Sequence, residues 1–481
     1  MVPWPRSAPT AEDRAAYADA AVRPFWLDPA ATDVALPEPA APLADATAAD
    51  LCVVGGGFTG LWAALHAKAR DPHRDVLLLE GEVCGFGASG RNGGFCVASL
   101  THGAANGLAR FPDELATLER LGLANHAALL EDLDRHGIDA DVETGGGELT
   151  ILLDPASLGE AREEAELLRR LGHDAVVLDA DAAREELRSP VVHGALWDRT
   201  GAALVHPGKL ALGLRAAALE AGVRIHEQTA VDAIDPGRAS GEPLTLVTPR
   251  GRVRARRALL ATNAFPPLLR ALRRRVVPVY DHVLVSEPLS AEQRAAIGWQ
   301  RRQGIGDWAN QFHYFRLTAD DRILWGGYDA VHRYGGPVRP SLDDHDPTFA
   351  RLAQHFFVAF PRLRGLRFTH RWGGAIDTCS RFSVFFGTEH DGRLAYAAGY
   401  TGLGVAASRF GAEVALDLLD GRESEATRLR YVRQQPLPFP PEPLRWAGIA
   451  ITRNRLAAAD RRGHRGLWLR TLDRIGLGFD S

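Results

Sequence analysis

The chain reads Leu51-Cys-Val-Val-Gly-Gly-Gly-Phe-Thr-Gly60, and a second apolar run, Val76-Leu-Leu-Leu79, closes on Glu80. Leu51–Val54 has the continuous apolar character of a buried strand, and Gly55-x-Gly57-x-x-Gly60 opens a helix predicted to run to about Arg70. In that spacing Gly55 permits the tight turn, Gly57 lets a pyrophosphate approach the backbone, and Gly60 lets helix and strand pack closely. Phe58 and Thr59 fall at the helix start, whose free N–H groups and positive dipole favour a phosphate. Glu80 ends the second strand where its carboxylate accepts hydrogen bonds from an adenosine ribose. Strand, glycine triplet, helix, strand and terminal Glu together predict a dinucleotide site.

Which dinucleotide binds is a question for the rest of the chain. Cys84-Gly-Phe-Gly-Ala-Ser-Gly-Arg-Asn-Gly-Gly-Phe95 places Gly87, Ala88, Ser89, Arg91, Asn92, Gly93 and Gly94 in a loop able to follow a flat ring at short range. A second glycine cluster, Gly399-Tyr-Thr-Gly-Leu-Gly-Val405, precedes the apolar helical pattern Val405–Leu419. Gly399, Thr401, Gly402, Leu403 and Gly404 there offer N–H groups that stabilise negative charge on a reduced flavin. Each cluster taken alone also reads as a plain turn.

These motifs resemble the FAD-dependent amine and amino-acid oxidoreductases of the D-amino-acid oxidase, glycine oxidase and sarcosine oxidase superfamily, most closely the gamma-glutamylputrescine oxidoreductase branch. The matching stretches are Val53–Glu80, Gly85–Gly94, Gly194–Glu227, Ala258–Asn263, Val277–Pro288, Arg322–Asp329 and Trp372–Val405, in the family's order. The resemblance implies an α/β fold, α+β overall: a Rossmann-like FAD-binding domain with a second, mostly antiparallel-sheet substrate domain. It implies FAD, held non-covalently, with Thr262 in the Ala258–Asn263 stretch and Val231 against the adenine. It implies hydride transfer from a small amine or amino acid to flavin N5, giving an imine that water hydrolyses. A gamma-glutamylputrescine-like substrate leads, with oxygen or another acceptor taking the electrons.

The expected organisation is an arm at 1–49, a discontinuous FAD-binding domain at 50–140, 194–265 and 370–421, a substrate domain at 141–193 and 266–369, and a tail at 422–481. Tyr17 and Arg23-Pro-Phe-Trp-Leu27 are placed to anchor the arm on the body. The tail carries helical apolar spacing at Leu444–Ala459 and Leu467–Ile475. From Pro436 to Ser481 eight arginines, Arg445, Arg453, Arg455, Arg461, Arg462, Arg465, Arg470 and Arg474, face only Glu442, Asp460, Asp473 and Asp480. Such a tail either packs on its own domain or meets an anionic membrane surface or an acidic partner.

Hydride chemistry asks side chains for positioning and desolvation rather than for a triad. Arg91 and Asn92 either meet the ring or a substrate carboxylate, or Arg91 is a structural clamp. Tyr280 with His282, and Tyr314 with Arg316, alternate on strand faces that line a pocket or belong to ordinary core. Trp372, before Gly373-Gly374, either walls the pocket or packs in the core; His206 either nears the cofactor or serves a helix entry. Two departures stand out. Sarcosine oxidases carry an oxygen-activating lysine just before a Gly-Tyr pair, and the similar strand here, Arg322-Ile-Leu-Trp-Gly-Gly-Tyr328, has Trp325 there. Cys379 lies where some relatives attach FAD covalently, yet Asp377-Thr-Cys-Ser-Arg381 fits their pattern poorly.

Composition narrows the field. The 481 residues suffice for two large cores, and a net charge of −4 gives no reason to expect nucleic acid. Cys52, Cys84, Cys96 and Cys379 lack zinc-like or CxxC spacing, so no metal is expected, and reduced thiols suggest a cytoplasmic setting. No apolar run approaches the roughly 20 residues of a membrane helix, and the amino terminus lacks a signal-peptide core. Lysine occurs only at Lys68 and Lys209, against abundant arginine, alanine and glycine, which suggests a high-GC bacterial genome. Two other readings stay open: an NAD(P)H-dependent flavin reductase or monooxygenase, and a non-catalytic flavin-binding protein acting through its tail.

Overall fold

The computed structural model describes residues 2–237, 241–474 and 477. Ile475 and Asp480, both named in the tail, lie outside the described residues.

Thr47–Val54 is a strand, Phe58–Arg70 a helix and Val76–Leu79 a second strand, as the motif predicts. The two strands are parallel, with Leu51 beside Val76 and Val54 beside Leu79, and Arg224–His226 extends the sheet on the Val76–Leu79 side. On the other side lies the long strand Arg252–Leu260, parallel to Thr47–Val54. Its first half pairs antiparallel with Leu244–Val247, and its last residues pair parallel with Leu394–Ala398. One strand thereby ties residues around 50, 250 and 395 into one sheet. The helices Phe58–Arg70, Pro207–Glu220 and Ala407–Asp420 cover one face, sealing a core that includes Val53, Trp62, Leu214 and Phe410. Glycines make this packing possible: a Cβ on Gly60 would lie 1.9 Å from the Gly55 carbonyl oxygen.

The second sheet has nine strands and is mostly antiparallel. Its centre runs Phe368–Thr378, Val277–Ser286, Ile323–Gly327, His313–Leu317, Gly304–Asp307. Register places Tyr314 beside Gly326, Gly326 beside Val283, and Val283 beside Trp372, so these four form one row across the sheet. Alternation then divides the residues between faces. One face carries His282, Leu284, His313, Phe315 and Trp325, and the helix Asp346–Ala359 covers it through Phe349 and Phe356. The other face carries Asp281, Val283, Tyr314 and Trp372 and looks onto the cavity described below.

The amino-terminal arm is pinned, as expected from Tyr17 and the Phe25–Trp26 patch, all three of which are fully buried. The tail also lies on the body. Helix Leu444–Arg462 is held by Asp460, which accepts from the backbone N–H groups of Asn310 (2.9 Å) and Gln311 (3.0 Å), and Leu467–Arg474 is joined to it by Trp468 Nε1, which donates to Thr452 Oγ1 at 3.0 Å. Phe439 and Arg274 exchange bonds upstream, at 2.6 Å and 3.0 Å.

Candidate active site

A cavity of about 1520 Å³ runs from the dinucleotide turn to the open face of the nine-stranded sheet. One end is bordered by Gly55, Gly57, Phe58, Thr59, Glu80, Val231 and Thr262. The middle is bordered by Gly87, Ala88, Ser89, Arg91, Asn92 and Gly93 on one side and Thr401, Gly402, Leu403 and Gly404 on the other. Most of the sequence-predicted cofactor residues are thus brought together around one channel. Gly60, Gly94 and Gly399 are not among its lining residues and act from behind it. A Cβ on Gly94 would meet the Val205 carbonyl at 2.2 Å, and one on Gly399 would meet the Phe385 ring at 2.8 Å.

The channel fits FAD on its own geometry. Gly55 has φ +109°, and a Cβ there would meet the Ala261 oxygen at 2.5 Å, so only glycine keeps the turn this tight. The Phe58–Arg70 helix has no acidic residue in its first turn, which leaves its positive end open to a pyrophosphate. The Phe58 N–H donates to Ser89 Oγ at 2.8 Å, joining the turn to the second glycine loop. Glu80 accepts from the Gly56 N–H at 2.6 Å and the Glu82 N–H at 2.9 Å. Burial raises its pKa, against the opposing effect of these two bonds.

Two tryptophans fix the 85–94 loop from outside. Trp26 Nε1 donates to the Asn92 carbonyl at 2.8 Å, and Trp372 Nε1 donates to the Arg91 carbonyl at 2.9 Å. Trp372 also borders the cavity, so it both walls the pocket and holds the loop. Behind the loop, Glu227 takes the Arg215 guanidinium (2.9 Å) and the N–H groups of Cys84 (2.7 Å) and Ala40 (2.6 Å). The strand Arg224–His226 ends just before it, which frees Glu227 to turn inward for this role. Asp377 plays a matching part for the other loop, accepting from the Gly399 N–H at 2.6 Å. Burial pushes its pKa up to about 7, opposed by N–H groups of Gly399, Tyr400 and Thr401.

The candidate substrate-side residues divide. Arg91 borders the cavity, but its Nε donates to the Phe86 carbonyl (2.8 Å) and its Nη1 to Gly373 O (3.0 Å) and Asp343 (2.5 Å). It is a clamp between loop and sheet, with its charge matched inside the protein. Tyr280 borders the cavity too, and its hydroxyl accepts from the Arg339 N–H at 3.1 Å. His282 does not line the cavity: it lies fully buried on the opposite face, against Phe349 and His345. Burial lowers its pKa to about 3, so it stays neutral. Arg316 also fails to reach the cavity. It is buried under the loop, donating to the Val205 carbonyl at 2.7 Å, over the face of Trp26. In each pair one member borders the cavity and the other does not, because spacing by two identifies residues sharing a face without saying what covers each of them.

Tyr314 does face the channel, lying against Gly93, where a Cβ would meet its ring at 2.7 Å. Its hydroxyl donates to Asp281 at 2.5 Å. Asp281 borders the cavity and sits between the two residues first singled out on its strand, on the face that matters. His206 caps the Pro207–Glu220 helix, its Nδ1 accepting from the Lys209 N–H at 3.1 Å. Cys379 is fully buried and its thiol donates to Ser383 O (3.2 Å) and Gly399 O (3.4 Å), away from the lining residues. Trp325 packs in the aromatic core with Phe315 and Phe356, so a side chain there points away from the cavity.

The tail supplies a wall that sequence spacing did not place. Leu444, Ile449, Thr452, Arg453, Leu456 and Trp468 all line the cavity. Arg453 approaches Asp329 at 3.6 Å. Leu444, Trp446, Ile451 and Leu467 are exposed on the same two helices.

A family model described as FAD dependent oxidoreductase matches residues 50–418. The chain belongs to the FAD dependent oxidoreductase family. Among curated relatives, gamma-glutamylputrescine oxidoreductase of Escherichia coli is 31% identical over 401 residues, covering 81% of this chain and 88% of the relative. A probable oxidoreductase, OrdL, of Haemophilus influenzae is 28% identical over 412 residues, covering 83% and 88%. Glycine oxidase from Geobacillus kaustophilus superposes with a TM-score of 0.65 at 20% identity, covering 79% of this chain and 96% of that one. L-proline dehydrogenase from P. horikoshii gives 0.64 at 18%, covering 80% and 95%. This family member is therefore an FAD-dependent oxidoreductase acting on amines or amino acids, and its tail helices lie beyond the matched region. Among the described residues no helix is long and apolar enough to cross a membrane.

Proposed function

We propose that the protein oxidises a small amine that carries its positive charge into the cavity, by hydride transfer followed by imine hydrolysis, with a gamma-glutamylputrescine-like amine as the leading substrate. The observation that carries this reading is the charge on the sheet face. Asp281 borders the cavity there without a cation, Asp329 borders it with Arg453 at 3.6 Å, and the loop arginine is matched by Asp343. An amino-acid carboxylate gains little from such a surface, whereas an ammonium group is drawn to it. The similarity to gamma-glutamylputrescine oxidoreductase supports the same substrate class.

When bound, FAD supplies the two-electron acceptor. The chain's own residues do the rest. The loop pinned by Trp26 and Trp372 sets the plane against which the substrate lies, and Tyr314 and Trp372 give it apolar walls. The tail helices exclude water from the far side.

The test is anaerobic bleaching of the flavin absorbance with a panel of amines and amino acids, followed by air. Bleaching by diamines and their mono-acyl derivatives, and not by simple amino acids, is the expected result. Fast reoxidation with peroxide release identifies an oxidase; slow reoxidation identifies a dehydrogenase. No bleaching by any amine in FAD-loaded protein refutes the proposal.

A further inference from the structure

Asp281 is a carboxylate that borders the cavity without a cationic partner. Among the described residues no lysine, arginine or histidine forms an ion pair with it; its carboxylate instead accepts from the Tyr314 hydroxyl at 2.5 Å and the His282 N–H at 2.8 Å. The neighbouring charge is Asp329, of the same sign. A carboxylate withdrawn from water and left without a cation is costly, and a protein tolerates it where a cation arrives from outside. The opening toward that cation is the cavity itself, and Tyr314, which orients Asp281, lies directly against Gly93 of the flavin loop.

We infer that Asp281 is the anchor for the substrate's amino group, held in place by Tyr314, and that it takes the proton that must leave nitrogen before the C–H bond is broken. This deepens the amine reading above and rests on it. In the step, R–NH3+ gives one proton to the Asp281 carboxylate, leaving R–NH2 with its lone pair and Asp281 as the carboxylic acid; no electrons change hands. The Tyr314 hydroxyl keeps its own proton throughout, since burial and the adjacent carboxylate hold its pKa well above the ordinary tyrosine range. Burial also pushes Asp281 up to about 6, against the opposing bonds from Tyr314 and from the N–H groups of His282 and Gly327, with Asp329 adding to the rise. The group is then ionised at neutral pH yet more basic than an ordinary aspartate. The arginines lining the cavity are Arg453, which faces Asp329, Arg91, which pairs with Asp343, Arg445, which pairs with Glu442, and Arg273.

The experiment uses tert-butylammonium, which has no hydrogen on the carbon bearing nitrogen and so cannot be oxidised. Its binding to the FAD-loaded full chain is followed by perturbation of the flavin spectrum and by calorimetry, with tert-butanol as the neutral counterpart. The wild-type protein is expected to prefer the ammonium at least tenfold. Asp281→Asn should abolish that preference with FAD content unchanged, and Tyr314→Phe should weaken it less. Equal binding of the ammonium by Asp281→Asn and wild type overturns the inference. So does loss of FAD from folded Asp281→Asn, which would assign the carboxylate to the cofactor. Should that variant not fold, the wild-type titration decides: affinity falling as pH drops through about 6 supports the anchor, and a flat profile from neutral to acid overturns it. Charge-selective binding without bleaching by any amine would uphold the anchor and refute the oxidation chemistry.

Discussion

Replacing Arg215 by Met tests the internal support of the flavin loop. The Arg215 and Glu227 side chains are 8% and 2% exposed, and Glu227 gathers four bonds, two from Arg215 (2.9 and 3.2 Å) and one each from the Cys84 and Ala40 N–H groups. Burial alone would raise the pKa of Glu227, but these donors outweigh it and hold it below the ordinary range. Arg215→Met keeps the stem of the side chain and removes the charge, leaving a carboxylate in the interior with only neutral donors. Breaking a buried pair from one side costs about 3–5 kcal/mol. Adding Glu227→Gln removes the stranded charge while keeping an oxygen for one of the two N–H groups, so the double variant should recover part of the loss. The assay is urea unfolding followed separately by tryptophan and flavin fluorescence. Flavin release is expected to precede global unfolding in Arg215→Met, because Cys84 opens the 85–94 loop. A single variant within about 0.5 kcal/mol of wild type, the range of ordinary surface changes, would refute the reasoning.

Four further outcomes are expected. Glu80→Ala removes the acceptor for Gly56 and Glu82 as well as the proposed ribose contact; FAD affinity should fall at least about tenfold, since bonds to charged groups contribute about 1.5–3 kcal/mol, and unchanged affinity would count against that contact. Trp26→Phe leaves the Asn92 carbonyl without its donor, and FAD should dissociate faster by stopped-flow displacement, with an unaltered rate counting against loop pinning. Ending the chain after Gln435 removes the tail wall while keeping the buried Tyr431; iodide should then quench flavin fluorescence more strongly in a protein that still holds FAD. His173 sits between Asp198 (2.7 Å) and Glu119 (3.5 Å); burial opposes its charge, but these partners push it up to about 9. Its contribution to stability is complete below its unfolded pKa and is lost as pH rises through about 9. His173→Gln should flatten the stability profile between neutral pH and 9, and an unchanged slope would show that the pair contributes nothing.

The Rossmann-like half was legible because its signals are local. Gly55, Gly57 and Gly60 act within one turn of chain, and Glu80 is fixed by the strand that ends at it. The substrate side was harder, because its signals depend on which face of a sheet is covered. The strand holding Tyr280, Asp281 and His282 reads equally well with either face inward, and the helix Asp346–Ala359 decides the matter from a distance in sequence. Tyr314 was legible and Arg316 was not for a related reason. Both share a face, but Val205 and Trp26 cover one of them. The arm patch at Phe25–Trp26 was visible as an anchor, whereas the Asn92 carbonyl that Trp26 serves could not be seen without the fold.

The tail wall also has a consequence for how the molecule comes into being. A ribosome releases the chain from its amino end, so the residues of the sheet joining positions around 50, 250 and 395 emerge before the helices at Leu444–Arg462 and Leu467–Arg474. Until the helices emerge, the side of the cavity bordered by Leu444, Ile449, Leu456 and Trp468 lacks that wall. Fusions placed at the carboxy terminus would act on that closing step, whereas fusions at the amino terminus would not.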